Sequence, residues 1–215
     1  MQGLDEQLEI VQSKVTLYDL FAQALNYPDQ ALIERLASGE FADVLRASMA
    51  GAGQALPETD LNSLKSEYSG NSRERSELLL ELEKEYTRIF FASKPRLAYL
   101  FESVYKEGKL YQDSTFEIAG LYHDAGLKIG DAFRLPPDHI AVEFEFLSFL
   151  CFKELEGAGS GDNETREYAK ELQGEVISKH LGPFALDVAE RLEKHAGTVF
   201  YTTVADAILQ HFRSW

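Results

Sequence analysis

Cysteine is almost absent: Cys151 is the only one in 215 residues, so no intramolecular disulfide can staple the chain and no zinc site can rest on paired thiolates. Set within Phe149-Leu-Cys-Phe152, it reads as a small buried apolar residue without a reactive role. No apolar run approaches the roughly 20 residues that cross a bilayer, and the acidic start (Asp5, Glu6, Glu9) lacks the basic-then-apolar layout of an export signal. A cytoplasmic chain with no integral membrane segment is expected. Basic residues are scarce, with 21 Lys and Arg against 36 Asp and Glu and a formal charge of −15. Such a surface repels nucleic acid and anionic lipid and welcomes a basic partner, although the same charge also serves plain solubility. Neither a GxxxxGK[ST] phosphate loop nor a GxSxG nucleophile elbow occurs, and Gly157-Ala-Gly-Ser-Gly161 follows a helical pattern where a dinucleotide fold needs a strand.

What is present is helical periodicity. Leu4, Leu8, Val11, Val15, Tyr18, Ala22 and Leu25 recur at spacings of three and four and form one stripe of a long amphipathic helix, which Asn26-Tyr-Pro28 ends. Shorter helices are predicted over residues 29–37 and from Phe41 to Gly51, with Asp60 capping another. After a polar loop at 69–72, Leu78, Leu82, Tyr86, Ile89 and Phe90 mark a buried face opposite Glu77, Glu81 and Lys84. Ser114-Thr-Phe-Glu117 has the form of a capping box, opening a helix that stops near Gly126. Pro136 and Pro137 close a loop and start a strongly apolar helix running to about Leu155, with Asp138 near its positive end. Residues 157–161 read as a flexible break, and helices over 164–180, 183–196 and 198–212 complete the chain. Residues 128–133 are too short and glycine-broken for a sheet, and no repeat or low-complexity tract is found. The expected fold is all-α, with about ten helices in a single domain over residues 1–215 or in two helical lobes joined by a long loop. That loop, residues 92–113, lacks clear helical period and is a candidate hinge through which helices exchange between protomers, so monomer and domain-swapped dimer both stand.

Candidate chemistry is sparse. His139 and Glu143 stand four residues apart on one helical face and can share a metal, but two ligands make an incomplete site. Glu143 and Glu145 lie about 200° apart around the helix and cannot act as an acid/base pair. His123-Asp124, His180, His195 and His211 show no ligand spacing. No catalytic set and no cofactor is expected.

Three segments in order, Glu85-Tyr-Thr-Arg-Ile-Phe90, Phe101-Glu-Ser-Val-Tyr105 and Pro136-Pro-Asp-His-Ile-Ala-Val-Glu143, resemble the TorD/DmsD family of redox-enzyme maturation chaperones. The likeness continues through Ser178-Lys-His-Leu-Gly-Pro-Phe184 and Val199-Phe-Tyr201. It implies an all-helical, non-enzymatic cytoplasmic chaperone. Its partner would be the catalytic subunit of a molybdoenzyme, bound through the subunit's twin-arginine signal peptide and held as apoenzyme until cofactor insertion, which delays export. The chain has no adjacent arginine pair and is not itself such a substrate. Carried over, the binding surface falls on Asp138 and His139, shaped by Pro136 and Pro137, with Glu102, Ser103 and Tyr105 on the facing loop. A basic-then-apolar peptide asks for carboxylates beside an aromatic groove, which Tyr86, Phe90, Tyr105 and Tyr122 can line, or else these rings are ordinary core. Asp138 has two readings, peptide ligand and helix cap. Where many relatives have a proline before Glu-Ser-Val-Tyr, this chain has Leu97-Ala-Tyr-Leu-Phe101, and Phe184 stands where tryptophan is frequent. Two other functions remain open: assembly of a nitrate-reductase-type subunit without leader recognition, and a metal-dependent helical hydrolase built on His139, Glu143 and His123.

Overall fold

A computed structural model describes residues 2–69, 73–92, 94–127 and 135–214. Among them every regular element is helical, with one isolated antiparallel bridge between Phe101 and His139, so the protein is all-α. The polar loop at 70–72, the stretch at 128–133 and Trp215 lie outside the described residues. No helix among the described residues is long and apolar enough to cross a membrane. The chain divides into two compact units, one of Met1–Ala22 with Leu100–Phe184 and one of Gln23–Tyr99 with Ala185–Trp215.

The first unit is organised around α8 (Ile140–Ser160), whose buried residues lie on nearly every side, as the apolar run predicts. Tyr18 and Phe21 of α1 (Gln2–Leu25) pack on Phe144 of α8, with ring centroids 6.3 and 5.3 Å away. Residues 157–160, predicted as a flexible break, instead continue the helix. Gly157 is buried there because α9 (Asn163–Glu175) crosses so closely that a Cβ would lie 2.8 Å from the Arg166 amide nitrogen. The helix ends one turn later at Gly161, whose φ of +74° suits a residue without Cβ. Between these helices Cys151 donates to Gln173 Oε1 at 3.3 Å, and Gln173 donates to Glu154 at 2.9 Å. Burial pushes the Cys151 thiol up to about 12, so it stays protonated and inert.

From α9 the chain runs through a π-helical turn, Val176–Leu181, directly into α10 (Gly182–His195). Gly182-Pro183 therefore does not break the chain into separate helices. The glycine is needed for close approach: a Cβ at Gly182 would fall 2.2 Å from the Ile177 carbonyl oxygen.

The second unit contains α2 (Gln30–Ser38), α3 (Glu40–Gly51), α4 (Glu58–Tyr68), α5 (Arg75–Thr87), a π-helical turn at Arg88–Ala92, the rest of α10, and α11 (Val199–Arg213). Asp29 caps α2 by accepting from the Leu32 amide at 2.8 Å, and Gly39 at φ +80° ends it, as the sequence predicts. Asp60 lies inside α4, which starts behind Pro57. The predicted face of α5 is buried throughout, from Leu78 to Phe90. Phe200 of α11 meets Phe41 at 5.4 Å and Tyr68 at 6.5 Å, and Glu85 takes the Arg88 guanidinium at 2.7 and 2.8 Å and also accepts from the Gly197 amide at 2.5 Å.

Candidate functional site

Two segments 35 residues apart meet in the first unit. The Ile140 amide donates to the Leu100 carbonyl at 2.9 Å and the Glu102 amide to the Asp138 carbonyl at 3.0 Å, so residues 100–102 run antiparallel to 138–140. Helix α6 (Glu102–Glu107) follows from this contact. It lies within the stretch that showed no helical period, because six residues complete too few turns for periodicity to register.

The predicted helix start at Pro137 is corrected by the structure. Pro137 restrains Pro136 to an extended backbone, and the turn closes with the His139 amide donating to the Pro136 carbonyl at 3.1 Å. Helix α8 then begins at Ile140, with His139 as its cap: the ring Nδ1 accepts from the Ala141 amide at 3.2 Å. Asp138 is not the cap of its own helix. Its Oδ2 accepts from the Ser103 amide at 3.1 Å and the Ser103 hydroxyl at 2.5 Å, so it caps α6 across the corner.

Glu102 faces the interior. Lys106 Nζ lies 2.6 Å from its Oε1, His180 Nδ1 is 3.1 Å from both of its oxygens, and Lys106 also donates to the Lys179 carbonyl at 2.7 Å. Thus α6 is tied to the π-helical turn that carries His180. The motif spacing around His180 gave no sign of this pairing. Glu143, on the first turn of α8, is also enclosed, and neither of its oxygens nor Asp138 Oδ1 has a hydrogen-bond partner among the described residues. Burial, and then the charges of Glu102 and Asp138, raise the Glu143 carboxyl well above the usual carboxylate range, with Lys106 opposing. Burial lowers His139 to about 4, against the pull of Asp138, and leaves it neutral near pH 7.

Aromatic rings surround this corner. Phe101 meets the His139 ring edge-on at 5.3 Å, Tyr105 meets Phe184 at 5.3 Å, and Tyr122 packs on Phe146 at 4.5 Å while its hydroxyl donates to the Pro137 carbonyl at 2.7 Å. Asp138, His139, Glu102 and Ser103 are buried, whereas Phe101, Tyr105, Pro136 and Pro137 are half-buried. Tyr86 and Phe90, the other two predicted groove residues, belong to the second unit, where both are core, their tilted rings 4.9 Å apart. The predicted capping box is not formed. Helix α7 (Asp113–Asp124) starts two residues earlier than the motif requires, and Glu107 of α6 accepts from the Ser114 amide and hydroxyl at 3.2 and 3.0 Å.

Among the described residues no group of three or more His, Cys, Asp or Glu is placed to hold a metal. His139 Nδ1 is committed to its cap, and His123 is 88% exposed beside Asp124.

The family model described as nitrate reductase delta subunit matches residues 38–190. The chain belongs to that family. The match spans both corner segments and bears out the likeness to the TorD/DmsD chaperones read from the motifs. One curated relative, the chaperone protein TorD of Vibrio parahaemolyticus serotype O3:K6 (strain RIMD 2210633), is 24% identical over 142 residues, covering 64% of this chain and 63% of that protein. The chain thus spans less than two thirds of that relative's length. Among solved structures, a "putative redox enzyme maturation protein" from Archaeoglobus fulgidus matches with a TM-score of 0.56 at 23% identity, covering 91% of each chain; at that identity the likeness is one of fold.

Proposed function

We propose that this family member is a non-enzymatic maturation chaperone that acts in the cytoplasm. It holds the catalytic subunit of a molybdenum-cofactor oxidoreductase as apoenzyme until the cofactor is inserted, and it recognises the subunit's twin-arginine leader before export. The family match over residues 38–190, two thirds of the chain or more, carries the chaperone reading. The corner supports the leader reading. Phe101, Tyr105, Pro136 and Pro137 offer a half-buried aromatic and apolar rim, and Asp138 lies behind it without a cation among its hydrogen-bond partners. Glu102 is matched by Lys106, so Asp138 supplies the uncompensated negative charge of the corner. In a chain of charge −15, that favours the basic stretch of a leader.

Calorimetric titration of the protein with the leader of a molybdoenzyme subunit tests this reading. Asp138→Asn keeps an acceptor for Ser103 while removing the charge. It is expected to weaken the leader about tenfold, in the range of charge-pair losses, with affinity of the wild type falling as salt rises. An unchanged affinity in a folded variant, with only its melting temperature lowered, would assign Asp138 to capping α6 and nothing more.

The description of the family favours a second reading, assembly of a nitrate-reductase-type subunit without leader recognition. Deleting the leader from the client separates the two, because binding to the truncated subunit stays undiminished only in this second case.

A further inference from the structure

Glu143 is fully buried in the first unit, and neither of its oxygens has a hydrogen-bond partner among the described residues. The ionisable groups around it come from four elements. Helix α6 contributes Glu102 and Lys106, the turn before α8 contributes Asp138 and His139, α7 contributes Tyr122, and the π-helical turn at Val176–Leu181 brings His180 against Glu102. Their hydrogen bonds go elsewhere. Lys106 and His180 both lie on Glu102, the Ser103 amide and hydroxyl serve Asp138 Oδ2, and the Tyr122 hydroxyl goes to the Pro137 carbonyl. His139 is neutral near pH 7, with Nδ1 spent on the Ala141 amide.

Three carboxyl groups therefore share one enclosed corner, and they are served unequally. Glu102 has a lysine and a histidine, Asp138 has two donors on one oxygen, and Glu143 has none. An ionised Glu143 would bury a charge without a donor beside two like charges, which is the costliest way to enclose a polar side chain. A protonated Glu143 carries an O–H donor, and Asp138 Oδ1 is a buried acceptor that lacks one. A single proton thus removes the excess charge and gives both unpartnered groups a partner, directly or through one buried water.

We propose that Glu143 keeps its proton in the folded protein and offers it to Asp138, forming a latch that holds α6 on the start of α8 and opens when rising pH removes the proton. Asp138 is the residue that joins the two segments, through its side chain to Ser103 and its carbonyl to the Glu102 amide. Ionisation sets Glu143 against Asp138 and Glu102 together, so the strain falls on that junction. Burial and those two charges raise the Glu143 carboxyl, so the folded chain holds this proton more tightly than the unfolded one. The latch is complete at low pH and is lost as pH rises through the elevated value. Opening displaces Phe101 and Tyr105, the half-buried rings of the latched segment, whatever the corner binds.

Hydrogen exchange of the full chain, read by mass spectrometry from about pH 5 to about pH 9, covers the range that buried glutamates reach. Dividing wild-type rates by those of Glu143→Gln at each pH cancels the intrinsic pH dependence of exchange, and glutamine keeps a donor but cannot ionise. For the α6 amides the ratio should be flat at the acidic end and then rise by up to about tenfold per pH unit, the limit for release of one proton. For the α11 amides, in the second unit, it should stay constant. A flat ratio at α6 across the range would overturn the proposal. So would an equal rise at α11, because that is a loss of global stability and not the opening of a latch. Glu143→Met, which also cannot ionise, replaces the glutamine variant should that one not fold. Infrared spectra of the wild type need no variant: absorption by a protonated carboxyl should vanish over the same pH range in which α6 exchange accelerates. Its absence from the folded protein at about pH 5, below the range of buried glutamates, would also overturn the proposal.

Discussion

His139 and Glu143 are ionisable groups at the cap and on the first turn of one helix, and burial drives both toward neutrality, but the consequences for stability run in opposite directions. His139 is held at about 4 against an ordinary 6.5, so between those values the unfolded chain binds a proton that the folded one does not. Its contribution is complete above pH 6.5 and is lost as pH falls toward 4. Glu143 is raised, so its contribution is complete at low pH and is lost as pH rises through its elevated value. Comparing variants isolates the first effect. In His139→Asn the Asn Oδ1 occupies the place of the ring Nδ1 and keeps the cap on Ala141, but nothing there can be protonated. Thermal melts from pH 7 to pH 4 should therefore fall less steeply than those of wild type, and a parallel fall would show that His139 does not set the acid sensitivity. His139→Ala should lower stability by about 1 kcal/mol at neutral pH through loss of the cap. The Pro-Asp-His pattern made these residues visible in the sequence. It did not show what they bond to: Ser103 is 35 positions from Asp138 and His180 is 78 from Glu102, and no local spacing encodes partners so far apart.

At the scale of elements, local signals succeeded where the chemistry is local. Asp29 caps α2 and Gly39 ends it because a cap needs only its own neighbours. Ser114-Thr-Phe-Glu117 misled because a glutamate outside the motif, Glu107, reaches the serine first, and residues 157–160 misled because glycines there serve a helix crossing and not a loop. The two π-helical turns were invisible, since one extra residue per turn leaves the apolar pattern nearly intact. The second of them carries His180 into contact with Glu102, so its geometry bears directly on the corner. Gly182→Ala places a methyl 2.2 Å from the Ile177 carbonyl, a backbone atom that cannot rotate away. The turn must open, and a loss of about 3 kcal/mol is expected in urea denaturation, at the upper end for overpacking. A loss below about 0.5 kcal/mol, typical of innocuous surface changes, would show that the turn relaxes freely to a regular helix.

For the whole molecule, the all-α class was legible from the dominance of three-and-four spacing, whereas the way the chain is shared between units was not. Each unit combines one stretch that precedes the Tyr99–Leu100 boundary with one that follows it: Met1–Ala22 with Leu100–Phe184, and Gln23–Tyr99 with Ala185–Trp215. The boundary falls inside the 92–113 segment read from the sequence as a hinge. If the chain extends at that boundary, everything from Leu100 on can be exchanged with a second copy, and both units are rebuilt from two chains with the contacts away from the boundary kept. The energy difference between monomer and exchanged dimer then reduces to the hinge itself, the entropy of association and the repulsion between two chains of charge −15. Since salt screens the last of these, the dimer fraction should grow with protein concentration and, at fixed concentration, with ionic strength. Exchange also requires opening both units, so the two species should interconvert slowly enough to be separated on a column. Size-exclusion chromatography with light scattering at several concentrations and salt levels reads all three features, and a single monomeric peak throughout would rule out exchange through this hinge.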